Sequence, residues 1–246
     1  MNRWFPWGIP DGIEDLVLCL PHAGGAASSF RSWRSDTTNN VAFVPIQLPG
    51  RETRFSEPLM SNFDEVIDGF TGAIRQLGIR RVSLFGHSMG ALLAFESARV
   101  LESYSIAVPL IAVSSHSAPI HTGELAPRTS DDTEDEDLLE LVREIGGTES
   151  EVLQHPALLE LFLPRFRADC ALLRSYVPDL LGKVRSDILA LGGLDDTLVP
   201  EASLYEWGEL VSGSCEVELF AGGHFYVRDN GASVRSLIST ALSRSR

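Results

Sequence analysis

Short, almost unbroken apolar runs alternate along the chain with longer stretches in which apolar positions recur every three or four residues. DLVLCL at 15–20, VAFVPIQL at 41–48, RVSLFG at 81–86, VPLIAVSS at 108–115, SDILALGG at 186–193 and CEVELFAGG at 215–223 have the length and bounding residues of strands. Several show no polar alternation, which is the pattern of a sheet covered on both faces. Residues 62–77, 88–102, 201–211 and 230–243 carry the helical period. Strand and helix in alternation predict an α/β fold, a mainly parallel, doubly wound sheet with helices on both sides.

One segment breaks the alternation. Residues 117–181 hold helical runs such as EDLLELVREIG and HPALLELFLPRFRADCALLRSYVPDLL but no strand. Some 65 residues is too long for a simple crossover, so the segment is expected to be a helical cap, or lid, over the carboxyl edge of the sheet, where open α/β folds bind ligands. Pro156 suits the first turn of one cap helix, and Pro164 is expected to separate that helix from the next. The acidic run SDDTEDEDLLE at 130–140 reads as a solvated loop leading into a helix start. With no repeat and no low-complexity linker, residues 1–246 are expected to form one domain with its cap, the cap being more mobile than the sheet and gating the site.

Composition narrows the function classes. The 246 residues are 44% hydrophobic, and no apolar run reaches the roughly 18–20 residues that span a bilayer. The opening residues MNRWFPWGIPDGIEDL lack the basic flank and apolar stretch of a secretory signal. Cys19, Cys170 and Cys215 are odd in number, far apart and outside any CxxC, which suits a reducing compartment and argues against disulfides or a zinc site. These features predict a cytoplasmic protein without metal. A formal net charge of −14 opposes nucleic-acid binding, which needs a basic face.

The chemistry concentrates at FGHSMGALLAFE, residues 85–96, a G-x-S-x-G pattern between a predicted strand and a predicted helix. That context is a nucleophile elbow: Ser88 sits on the sharp turn, Gly86 and Gly90 leave room for it, and the helix N-terminus adds positive potential. A serine needs a base. Of His22, His87, His116, His121, His155 and His224, only His224, in FAGGHFYV, follows the last strand, where an α/β-hydrolase places its base. The acid that fixes the imidazole should end the preceding strand, and LGGLDDTLVP offers Asp195 and Asp196. Spacing to Val199-Pro200 favours Asp196, and both remain candidates. For the oxyanion, backbone N–H groups are expected from Met89, after the nucleophile, and from Ala23 in LPHAGGAASSF, where Gly24 and Gly25 let the chain come close. The same loop lacks the G-K-[ST] of a phosphate-binding loop.

Taken together, LPHAGGAASSFRSW, PIQLPGRETRFSEP, FGHSMGALLAFE, LGGLDDTLVP and FAGGHFYV resemble the type II thioesterases that accompany polyketide synthases and nonribosomal peptide synthetases, over residues 16–227. QLPGRE is the most specific of these, and HPALLELFLPRFRADCALLRSY is similar to the family's cap helices. The resemblance implies an α/β-hydrolase fold and an editing enzyme that hydrolyses acyl groups from the phosphopantetheine arm of an acyl or peptidyl carrier protein, with no cofactor. A discrete enzyme is expected, since no synthase segment flanks the motifs. The chain departs from the family at Thr197, where proline often follows the acid, and this keeps Asp195 open. Because carriers are usually acidic too, docking is expected to use a local patch, with Arg51, Arg54, Arg165, Arg167 and Arg174 as candidates. Other readings are a carboxylesterase or acyl-CoA thioesterase and, in a different class, a non-catalytic synthase-binding protein.

Overall fold

The computed structural model describes residues 2–35, 40–120, 129–130, 132–148, 150–179 and 182–244. Its strands are β1 (Asp15–Leu20), β2 (Val41–Pro45), β3 (Ser83–His87), β4 (Leu110–Ser114), β5 (Asp187–Gly193) and β6 (Cys215–Phe220). They form one sheet in the order β2-β1-β3-β4-β5-β6, with every pairing parallel. The chain steps from β1 outward to β2, then returns to the other side of β1 for β3. The order reverses between β1 and β3, and the carboxyl ends there open the crevice in which such sheets bind ligands.

Alternating side chains divide the core into two layers. Leu18, Leu20, Leu84, Ile111, Val113, Ile188 and Ala190 face α1 (Phe63–Gln76) and α2 (Met89–Ser103). Val17, Cys19, Phe85, Leu110, Ala112, Leu189 and Leu191 face the opposite way, onto Phe30 and Trp33 of the 3-10 segment Ala27–Ser35 and onto the last helix, Gly231–Arg244. Predicted and observed elements differ mainly at their ends. β2 stops at Pro45 rather than continuing to 48: the Ile46 amide still donates to the Cys19 carbonyl of β1, but the Gln47 amide turns away to the Trp4 carbonyl. The helix expected at 201–211 is a short α-helix, Glu201–Tyr205, followed by 3-10 turns at Glu206–Leu210.

Between β4 and β5 lie α3 (Asp135–Ile145), α4 (Ser150–Gln154) and α5 (Pro156–Ser175), so that the helices after β5 are α6 (Glu201–Tyr205) and α7 (Gly231–Arg244). Asp135, Glu136 and Asp137 occupy the first turn of α3, where the helix dipole favours them; Asp131 and the residues 121–128, His121 among them, lie outside the described residues. Pro156 opens α5 as expected, but Pro164 does not end it. Pro164 and Glu160, whose carbonyl loses its intrahelical donor, are both on the exposed side, where water replaces the bond. Leu163, Phe166 and Cys170 on the other side pack with Leu138 and Val142 of α3 and hold the helix through the proline.

A buried ion pair fastens α5 to the edge of the sheet. Arg51 Nη2 and Nη1 donate to Asp169 Oδ1 and Oδ2 at 2.8 and 2.9 Å, with side-chain exposures of only 2% and 0%. Asp169 Oδ2 also accepts from the Gly24 amide at 2.7 Å. Removing one member of such a pair leaves a buried charge without its counter-ion. Asp169→Asn is expected to lower the unfolding free energy by about 3 kcal/mol, read as a lower urea midpoint at constant m; a loss below about 1 kcal/mol would show that the pair does not anchor the helix.

Candidate active site

Ser88 stands where β3 turns into α2. Its backbone takes φ 54° and ψ −121°, a conformation that non-glycine residues rarely hold and that costs of order 1–3 kcal/mol. The turn is kept in place by the Ser88 amide, which donates to the Ser114 carbonyl at 2.7 Å. Gly86 and Gly90 make it possible: a Cβ on Gly86 would collide with the Gly90 carbonyl, and one on Gly90 with the carbonyl of Leu20.

His224 follows β6 and points at the elbow, its Nε2 3.1 Å from Ser88 Oγ and its Nδ1 3.0 Å from Asp196 Oδ2. The Ser115 hydroxyl donates to the His224 carbonyl at 3.0 Å and fixes that loop against β4. Asp196 Oδ1 accepts from the amides of Leu198 and Val199 at 3.0 and 3.2 Å. Burial raises the Asp196 pKa, but the His224 hydrogen bond and charge and these two amides outweigh it and hold the carboxyl below its ordinary range. Asp195, one residue earlier, is exposed, with its amide bonded to the Gly222 carbonyl. Geometry therefore brings Ser88, His224 and Asp196 into one hydrogen-bonded chain and leaves Asp195 outside it.

Ser88 and His224 of this chain line a cavity of about 250 Å³. Ala23 and Met89 border it beside Ser88, while Leu141, Val142 and Ile145 of α3 and Phe166 and Leu173 of α5 supply apolar walls. Gly24 and Gly25 have distinct steric roles. Gly24 has φ 74° and lies under Phe162 of α5, whose ring a Cβ would meet at 2.7 Å, whereas a Cβ on Gly25 would come within 3.0 Å of the His22 ring. Such an arrangement can transfer an acyl group: a hydroxyl with a base in reach and an acid orienting the base. Among the described residues no three His, Cys, Asp or Glu side chains come together as metal ligands would.

Three further histidines surround this chain. His87 is fully buried, with Nδ1 2.9 Å from Ser114 Oγ, itself 2.7 Å from Tyr226 Oη. Its ring centroid is 5.5 Å from that of His224. His22 and His116 line the cavity, and the His116 carbonyl accepts from Trp207 Nε1 at 2.8 Å. His155 is exposed at the start of α5. The residues that sequence reasoning missed are the Arg51–Asp169 pair and the cavity-lining roles of His22 and His116. QLPGRE flagged Arg51 only as a docking candidate, and it is buried. Arg54 is buried as well, paired with Glu57 at 2.6 Å, while Arg167 pairs with Asp135 and Arg174 donates to Thr129. Arg165 donates to the Gly24 carbonyl at 3.3 Å.

Residues 16–242 match the thioesterase domain family. The chain belongs to that family. It is 34% identical over 247 residues to thioesterase PikA5 of Streptomyces venezuelae, covering 98% of this chain and 85% of that protein. It is 32% identical to the gramicidin S biosynthesis protein GrsT of Aneurinibacillus migulanus over 94% of this chain and 90% of GrsT. Among solved structures, the type II thioesterase BorB from the borrelidin biosynthetic cluster superposes with a TM-score of 0.84 at 32% identity, over 95% of this chain and 94% of BorB. The type II thioesterase YbtT from the yersiniabactin pathway gives 0.84 at 26%, over 97% of each chain. This thioesterase thus has an α/β-hydrolase fold, and no helix among its described residues is long and apolar enough to cross a membrane.

Burial keeps the neighbouring rings of the thioesterase neutral. It depresses His22 to about 3 and His116 to about 4, and it holds His87 well below the ordinary imidazole range; the Arg228 charge adds to the effect at His22 and His87, while a hydrogen bond to the Ser117 carbonyl partly offsets it at His116. Below about pH 6.5 the unfolded chain binds protons at these rings that the native chain does not, so native stability falls as pH drops, by up to about 1.4 kcal/mol per unit for each ring. Asp196 adds stability that is full above about pH 4 and lost only below it. The melting temperature is expected to decline steeply between pH 6.5 and 5, and a flat profile across that interval would show that these imidazoles are not held neutral.

Proposed function

We propose that this thioesterase hydrolyses acyl groups from the phosphopantetheine arm of acyl or peptidyl carrier proteins, clearing aberrant or stalled chains in polyketide or nonribosomal peptide synthesis. The observation that carries the catalytic part is the hydrogen-bonded chain from Ser88 through His224 to Asp196, whose Ser88 and His224 line a largely apolar cavity. The type II thioesterases BorB, from the borrelidin biosynthetic cluster, and YbtT, from the yersiniabactin NRPS/PKS pathway, with GrsT of gramicidin S biosynthesis, support the choice of substrate. The three free thiols are in keeping with action in the cytoplasm, beside the synthase.

In this reading Ser88 Oγ attacks the thioester carbonyl as His224 Nε2 takes its proton, and Asp196 holds Nδ1–H and stabilises the imidazolium. The amides of Ala23 and Met89 receive the tetrahedral oxyanion. Collapse breaks the carbon–sulfur bond, and the imidazolium gives its proton to the departing pantetheine thiolate. His224 then takes a proton from a water that attacks the acyl-serine, and collapse breaks the acyl–Oγ bond as the imidazolium returns that proton to Ser88 and the acid leaves. The helices between β4 and β5 act as a lid: their apolar side chains seat the acyl chain and exclude bulk water.

Two experiments separate the parts of this reading. Asp196→Asn is expected to lower kcat by about 10⁴-fold by favouring the wrong imidazole tautomer, whereas Asp195→Asn should change it less than about threefold because that side chain is exposed; equal losses would undo the assignment. For the substrate, one acyl group is compared on a carrier protein, on CoA and on p-nitrophenol. The carrier-bound thioester is expected to show the highest kcat/KM, and turnover no better than that of the free esters would reject the editing role.

A further inference from the structure

A second cavity, of about 380 Å³, adjoins the one that holds Ser88. The two share His22 and Phe225 as walls. Their linings differ in chemistry. Where the first has walls of leucine, isoleucine, valine and phenylalanine from α3 and α5, the second sets Ser28, Ser29, Ser32 and Arg228 beside the apolar Phe30, Trp33 and Val227. Ser28, Ser29, Ser32 and Arg228 are all exposed, so the cavity opens outward.

Phe225 is the hinge between the two. Its ring centroid lies 5.3 Å from that of His224 and 4.9 Å from that of His22. The Arg228 guanidinium carbon lies 5.0 Å from the same ring, a cation–π contact that orients the charge toward the shared wall. Arg228 forms no ion pair among the described residues, although the chain carries a net charge of −14. Its field reaches the wall: after burial, the Arg228 charge is the next largest cause of the depressed His22 pKa. A guanidinium flanked by hydroxyl donors, with no carboxylate to neutralise it, is suited to a phosphate oxygen.

A thioester carried on phosphopantetheine has two unlike ends, an apolar acyl group and an anionic phosphodiester. The adjoining cavities have the matching unlike linings. We propose that the serine-lined cavity receives the phosphodiester end of the pantetheine arm, with Arg228 as its charged ligand, while the arm crosses Phe225 and the acyl group occupies the apolar cavity. This rests on the carrier-bound reading of the substrate.

The test compares one acyl group on pantetheine and on 4′-phosphopantetheine, which differ only in the phosphate, with wild type, Arg228→Gln and Arg228→Lys. Arg228→Gln is expected to lower kcat/KM on the phosphorylated thioester about tenfold more than on the unphosphorylated one, chiefly through KM, and Arg228→Lys to restore part of the difference. Equal losses on both thioesters would overturn the proposal by showing that Arg228 acts through Phe225 on His224, and no loss on either would overturn it too. A wild-type enzyme that ignores the carrier would count against the substrate reading alone, because the two pantetheine thioesters still report on Arg228.

Discussion

The ion pair between Arg51 and Asp169 is the contact through which three otherwise separate parts of the molecule hold one another. Two charges almost wholly removed from water would each cost several kcal/mol if left alone. Here the cost is offset because nearly every hydrogen-bonding position is used. Asp169 accepts from both terminal nitrogens of Arg51 and from the Gly24 amide, and Arg51 donates further to the carbonyls of Gly25 and Pro49. The loop after β1, the turn after β2 and the middle of α5 are therefore one hydrogen-bonded unit. Ala23 is adjacent to Gly24, so the position of this cavity-lining residue depends on a helix that comes much later in the chain.

A second constraint acts on charge. Four imidazoles gather near the serine, and only the ring of His224 is linked both to a hydroxyl and to a carboxylate. His22, His87 and His116 are kept uncharged by burial, which matters for the proposed mechanism because a cation beside His224 would oppose the positive charge that ring would accept during attack. Apolar packing around the site thus has an electrostatic consequence as well as a structural one. Phe225 shows both, since its ring lies edge-on to His22 and His87 as well as against His224.

Much of this was legible in one dimension because it depends on local rules. Strands buried on both faces are apolar throughout, and the elbow needs small residues at 86 and 90 wherever the rest of the chain goes. Ser88, Asp196 and His224 could be ranked by their positions at strand ends. The choice between Asp195 and Asp196 was narrower, since adjacent residues in a turn point in different directions and only three-dimensional register shows which one meets Nδ1. The Arg51–Asp169 pair was not legible at all. Its partners are 118 residues apart, and an arginine in a Pro-Gly-Arg turn looks like a surface residue until α5 is laid across it. Pro164 misled for a related reason: a local rule for ending helices was overridden by the packing of Leu163, Phe166 and Cys170 on the other side.

The apolar cavity and the loops of Ala23 and His224 are consequently not independent. Its apolar walls come from α3 and α5, and each of these is also tied to a loop of the site. On one side Asp169 of α5 holds the Gly24 amide, and Phe162 of the same helix covers Gly24, where no side chain could stand. On the other, Gly147, just after α3, has φ 81° and presses so closely on Phe225 that a Cβ would overlap its ring. A larger side chain in either helix that shortens the cavity would shift one of these contacts, and with it the loop of Ala23 or the loop of His224. Substitutions that reshape the cavity without disturbing those loops should therefore lie on positions such as Leu141 and Leu173, which line the cavity but make neither contact.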